Sequence, residues 1–153
     1  IDPSAPRLGL LMAALMRSKS RGSVRLAGDD PTVDPIVEFG MFTDERDLRP
    51  MSAAIDAAER VLEHRSFALL GAVSDYDRSQ DGVRAALGDY VHAAGTCAMG
   101  TVVDPACRVI GYDGLMVCDA SVMPEAPRAN LHLPTVMVAE RVAAFTVDRL
   151  RDR

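Results

Sequence analysis

The chain has 153 residues, 48% of them apolar and 25% charged, with a formal net charge of -5. This length and balance fit one soluble globular domain, or two close lobes, and exclude collagen-like, disulfide-scaffold and disordered classes. The acidic excess argues against a general surface for nucleic acid or anionic membrane, and the absence of Trp calls for an aliphatic core.

The opening, Ile1-Asp-Pro-Ser-Ala-Pro6, lacks the basic, apolar, small-residue order of a secretion signal and reads as the continuation of a longer sequence. Leu8 to Met16 is an apolar run of nine residues, short of the roughly 20 that span a bilayer. It reads as a buried strand or a short helix, since periodicity does not separate the two. Arg17 to Gly22 is polar turn material in which Arg17, Lys19 and Arg21 gather, close to Arg25. A solvated hairpin tip is the plain reading of that turn, and an anion site the alternative. Ser23 to Leu26 alternates as a half-buried strand does, Gly28-Asp-Asp-Pro31 breaks the chain, and Pro35 to Phe39 is a third strand candidate.

The clearest helix is expected over 47–65. Leu48, Met51, Ile55, Ala58 and Leu62 recur at steps of three and four, so they share one face, leaving Arg49, Asp56, Glu59 and Arg60 for solvent. Asp47 suits the N-cap and Pro50 the first turn, where a missing N–H costs little. A polar loop over 71–81 leads to a short helical piece over 83–88. Leu115-Met-Val-Cys118 then reads as a buried strand ending at Asp119, and a Pro-punctuated loop runs from Pro124 to Pro134. The last helix is expected from Thr135, as N-cap, to Arg153, with Val136, Ala139, Val142, Ala143 and the stretch from Phe145 to Leu150 as its apolar positions. Together these elements predict an α+β fold. A mostly antiparallel sheet from residues 8–16, 22–27 and 35–40 is flanked by the 47–65 helix. The strand near 115–118 and the helix near 135–150 are expected to pack apart from that sheet.

Cys97, Cys107 and Cys118 are odd in number and form no Cys-x-x-Cys pair, which favours a reducing, cytoplasmic setting over a disulfide framework. No metal is expected: structural zinc sites use tight ligand pairs, which these three with His92 or His132 do not supply. Cys97 lacks an orienting partner for nucleophilic work and reads as core packing. Among the three histidines, His64 ends a charged helix and reads as solvated. His92 and His132 lie in Gly- or Pro-punctuated loops with apolar neighbours, where a histidine serves as a structural group, a metal ligand or a general base. Brought together, two such rings suit removal of a hydroxyl proton, one accepting it while the other hydrogen-bonds the oxygen and its developing charge. The helix opening after Pro134 adds backbone N–H groups that favour an electron-rich ligand edge. Neither a Gly-x-Ser-x-Gly elbow, a His-Glu-x-x-His zinc motif nor a phosphate loop occurs, and no Gly-x-Gly-x-x-Gly dinucleotide fingerprint is present.

The second half carries these residues in recognisable blocks. His92-Ala-Ala-Gly-Thr-Cys-Ala-Met-Gly100 resembles the H-P-x-G-T-C-x-M-G block of the glucose–methanol–choline (GMC) flavoprotein oxidoreductases. Val103-Asp-Pro105, Arg108-Val109, Gly114-Leu-Met-Val-Cys-Asp-Ala-Ser-Val-Met-Pro124 and Asn130-Leu-His-Leu-Pro-Thr-Val-Met-Val-Ala-Glu140 follow in the family's order and spacing. Lys19 to Arg25 and Asp34-Pro-Ile36 match its upstream segments more loosely.

The resemblance implies an enzyme in which FAD takes a hydride from the carbon of an alcohol, with His92 assisting removal of the hydroxyl proton. His132 falls at the second active-site position, so both rings are expected in one pocket, within reach of one hydroxyl. Asp119 and Ala120 would contact the FAD diphosphate and ribityl chain, and Leu133, Pro134 and Thr135 the pyrimidine end of the flavin. Residues 1–90 would then be a substrate-binding portion, and 91–153 the active-site loops with the last strand and helix of the FAD-binding domain. Two departures stand out. Ala93 replaces the usual Pro, and the FAD-binding half with its Gly-rich fingerprint is not in this sequence. The implied partners are a small alcohol and that N-terminal half, with no nucleic acid and no transmembrane segment; alone, the chain would be an inactive fragment. His132, where many choline-type members carry Asn, argues against a dedicated choline enzyme. A hydroxynitrile lyase on the same scaffold and a non-catalytic binding or assembly module are the competing readings.

Overall fold

A computed structural model describes residues 9–151; expectations placed on residues 1–8, on the end of the last helix at 152–153 and on the Leu150 side chain lie outside the described residues. Strand β1 (Ser23–Arg25) pairs antiparallel with β2 (Ile36–Glu38), Val24 opposite Val37. Around the intervening turn, Asp30 accepts hydrogen bonds from the Thr32 hydroxyl and N–H, which hold its carboxyl below the usual range. Gly22 opens β1 where a Cβ would collide with the Glu38 carbonyl oxygen, so only glycine lets the two backbones close there. The sheet stops at two strands. The expected third, over 8–16, does not form within the described residues, and Leu10, Leu11 and Met12 are exposed. An apolar run becomes a strand only where a ladder partner and a covering face exist, and this one meets neither.

Helix α1 (Leu48–Leu62) follows the expected pattern: Met51 is buried, Leu48, Ile55, Ala58 and Leu62 are half-buried, and Pro50 sits in the first turn. Asp56 and Glu59 depart from the expected solvent face by pairing with Arg78, at 2.6 and 3.0 Å. Asp47 departs further. It stands before α1, but its side chain makes no cap hydrogen bond there. Instead it reaches back to the 17–22 turn and accepts from the Lys19 N–H (2.7 Å), the Ser20 N–H (2.8 Å) and the Ser20 hydroxyl (2.6 Å). The Ser20 hydroxyl in turn accepts from the Asp44 N–H. Ser20 is thus buried in this clasp, while Arg17, Lys19 and Arg21 on the same turn stay exposed, as a solvated turn has them. Burial pushes the Asp47 carboxyl up, but the Ser20 and Lys19 donors outweigh it and leave the group titrating low. Helix α2 (Gln80–Ala85) starts three residues ahead of the expected 83–88 piece, because the Ser79 hydroxyl caps it by accepting from the Gly82 N–H.

In the second half, Val103, Cys107, Val122 and Val142 form a buried cluster ringed by Met99, Val109, Met116, Val117 and Val138. The expected buried strand over 115–118 does not form: Met116 alone bridges to Arg108, while Leu115 and Cys118 are exposed. Helix α3 (His132–Arg151) begins three residues before the expected start. Thr135 is thus inside the first turn rather than the N-cap, its N–H and hydroxyl both donating to the Leu131 carbonyl. Val142 and Val138 face the cluster, whereas Val136, Ala143 and Phe145 do not. An ion pair between Arg17 and Glu125 links the two halves. The mixed α+β character is as expected, with a smaller sheet. The accessible surface is 12109 Å², against about 7500 Å² for a compact monomer of this mass.

Candidate active site

His92 precedes a segment seated on the 3-10 turn Ala120–Val122 by three backbone hydrogen bonds. The Gly95, Cys97 and Met99 N–H groups donate to the Ala120, Ser121 and Val122 carbonyls at 3.4, 2.9 and 2.9 Å. Gly95 takes φ 88°, a left-handed value, and a Cβ there would come within 3.2 Å of the Met123 carbonyl oxygen. The glycine of the first block is thus the point where two site segments close on each other. Asp119 caps the receiving turn by accepting from the Ser121 N–H at 2.8 Å.

The 3-10 turn also meets α3, whose first residue is His132. Val122 from the turn and Val142 from the helix share the buried cluster. The 3-10 turn therefore meets both histidine-bearing segments, the one after His92 by backbone hydrogen bonds and α3 by apolar packing. His92 is half-buried and His132 exposed. Leu133 beside it is 75% exposed, Pro134 and Thr135 are half-buried, and no acidic side chain occupies the first turn of α3. An uncovered helix N-terminus without acidic neighbours keeps its partial positive charge for an incoming electron-rich group. His64 is exposed, with its Nδ1 accepting from the Ser66 N–H, as a solvated histidine does.

Other block residues have structural work. Asp104 accepts from the Ala106 and Arg108 N–H groups and pairs with the Arg108 guanidinium at 2.6 Å, which holds its carboxyl low and closes the tight turn before Cys107. Cys107 is buried at φ 61°, and burial pushes its thiol up, away from the reactive thiolate. Among the described residues no three His, Cys, Asp or Glu side chains converge on a point that would hold a metal. An apolar cavity of about 150 Å³ opens between Met99, Pro105, Cys107 and the α3 residues Met137, Arg141 and Phe145. Neither candidate histidine lines it. Sequence reasoning passed over Tyr90, whose ring packs edge-on against His92 with centroids 5.1 Å apart. Its spacing two residues before the histidine was the available signal.

Known proteins resemble this chain in sequence and in fold. Residues 18–139 match the sequence profile of the GMC oxidoreductases, whose members are in general FAD-dependent. Ecdysone oxidase of Spodoptera littoralis is 36% identical over 158 residues, an alignment covering 94% of this chain and 26% of that protein. Oxygen-dependent choline dehydrogenase of Rhizobium meliloti (strain 1021) is 34% identical, over 86% of this chain and 27% of that protein. The structure of a fungal aryl-alcohol oxidase superposes with a TM-score of 0.74 at 29% identity, covering 90% of this chain and 25% of that one. The chain thus spans about a quarter of the length of these relatives. Among the described residues no helix is long and apolar enough to cross a membrane.

Proposed function

The chain belongs to the GMC oxidoreductase family, and from that premise we propose that it is the C-terminal, catalytic-histidine portion of an FAD-dependent enzyme that oxidises the CH–OH group of an alcohol. The seating of the His92 segment on the turn that α3 also packs against carries this reading, because it ties the two candidate histidines to one support. Residues 1–90 form the substrate-binding portion, and 91–153 the active-site loops and the end of the FAD-binding domain.

The residues present fit an FAD at this end of the fold. Asp119 offers an exposed carboxylate able to accept from ribityl hydroxyls, and Ala120 beside it a side chain small enough for the diphosphate to approach the backbone closely. Leu133, Pro134 and Thr135 present an apolar face and a helix N-terminus to the pyrimidine edge. When bound, FAD supplies the hydride acceptor. His92 takes the hydroxyl proton of the alcohol, and His132 hydrogen-bonds the same oxygen and stabilises its growing negative charge. The large accessible surface supports a companion FAD-binding portion covering much of the exposed apolar side, since obligate interfaces bury about 2000–5000 Å².

Co-expression with an N-terminal FAD-binding portion tests the reading. The expected result is co-purifying oxidised flavin that bleaches anaerobically with one or more alcohols from a panel. A complex that holds no flavin contradicts it, and flavin that no alcohol bleaches, in a complex that cleaves a cyanohydrin, moves the assignment to a lyase.

A further inference from the structure

Val91, between Tyr90 and His92, stands at φ 52° although it is β-branched and 83% exposed. That backbone is an outlier for a β-branched residue and persists only where its surroundings impose it. Asp89 supplies part of the restraint, its Oδ1 accepting from the Val91 N–H at 2.6 Å. The turn brings the Tyr90 and His92 rings together at 5.1 Å with an interplanar angle of 82°, the edge-to-face geometry that aromatic pairs prefer. The contact is one of ring against ring.

We propose that Tyr90 is a positioning residue for His92: its ring, presented by the left-handed turn at Val91, fixes the orientation in which the imidazole meets the alcohol. The proposal rests on the reading of His92 as the base. It differs from that reading in naming a group that acts through the His92 ring rather than on the hydroxyl.

Two measurements on different materials test it. The chain has three histidines, so its imidazole C–H proton resonances are assigned with one His→Gln variant each. Wild-type chain is expected to show a nuclear Overhauser contact between the Tyr90 and His92 rings. Tyr90→Leu should move only the His92 resonances, through loss of the ring current, and Tyr90→Phe should leave the contact in place. Absence of that contact in wild type overturns the proposal without reference to activity. In the flavin-loaded enzyme, Tyr90→Leu is expected to lower kcat by about 10- to 100-fold with KM nearly unchanged, the scale of a misplaced reacting group. Tyr90→Phe should restore the wild-type rate. A Tyr90→Phe variant as slow as Tyr90→Leu overturns the proposal by assigning the effect to the hydroxyl. Wild-type kcat in Tyr90→Leu, with His92→Ala still slow, overturns the positioning role and leaves the base in place. Wild-type kcat in both Tyr90→Leu and His92→Ala overturns the role and the base together.

Discussion

Val122 and Asp47 are buried almost equally, at 0% and 1% exposure, yet they hold their surroundings by opposite means. Val122 joins Val103, Cys107 and Val142 in an apolar cluster that fixes the loops from 92 to 123 against α3. Asp47 is a charge whose carboxylate gathers the Lys19 and Ser20 donors and ties the 17–22 turn to the start of α1. The candidate histidines belong to the half held by shape. The half held by a carboxylate carries the two-stranded ribbon and the exposed edges. Chemistry near the second half can thus be altered without disturbing the fold, whereas the first half depends on the ionisation of one group.

The comparison is broken most forcefully at His92. In the flavin-loaded enzyme His92→Ala is expected to slow flavin reduction by about 10²–10⁴-fold, the range for a lost general base, with the thermal transition of the chain little changed. Stopped-flow reduction beside calorimetry checks both halves of that statement. Asp47→Ala should do the reverse. It leaves the Ser20 N–H and hydroxyl buried without the carboxylate they donate to, removes the part-buried Lys19 bond, and is expected to destabilise by about 3 kcal/mol in urea titrations. Val122→Ala removes two methyl groups from a fully buried position and is expected to cost about 2 kcal/mol, read the same way.

Acid sharpens the contrast. The folded Asp47 carboxyl titrates low, so the unfolded chain binds its proton first; the stability it contributes is complete above the unfolded value near 4 and is lost as pH falls through the folded one. Asp44, held at about 2 by the Arg46 guanidinium and N–H, acts in the same direction from the surface. Urea midpoints between pH 6 and pH 3 should therefore fall less steeply in Asp47→Asn than in wild type, while Val122→Ala keeps the wild-type slope. The smallest effects belong to the remaining histidines. His132→Asn should cost less in flavin reduction than His132→Ala, because the amide still hydrogen-bonds the alcohol oxygen, and His64→Ala should change neither rate nor fold.

The sequence disclosed these two halves unevenly. The face of α1 was legible because Met51, Ile55 and Leu62 recur at helical spacing and the packing kept that order. The two strands that form were legible in the alternation at 23–26 and the short run at 35–39, whereas the apolar runs at 8–16 and 115–118 say nothing about whether a ladder partner lies beside them. Asp47 looked like a cap because of its place before a helix, and no local pattern points to a partner 27 residues back. The His92 and His132 blocks stood out through resemblance, but the seating of the His92 segment on the 120–122 turn lies in backbone hydrogen bonds that no side-chain pattern encodes. Tyr90 escaped notice because its contact depends on a left-handed Val91, a conformation that β-branched residues ordinarily avoid.

Whether the two histidines act on one hydroxyl is tested most directly by a double-mutant cycle in the flavin-loaded enzyme. His92→Ala, His132→Ala and the double variant are compared by anaerobic flavin reduction with a single alcohol. Groups that serve one proton transfer are strongly non-additive, so the loss in the double variant is expected to fall well short of the product of the two single losses. A double variant whose loss equals that product would place the two rings in independent roles and contradict the shared site.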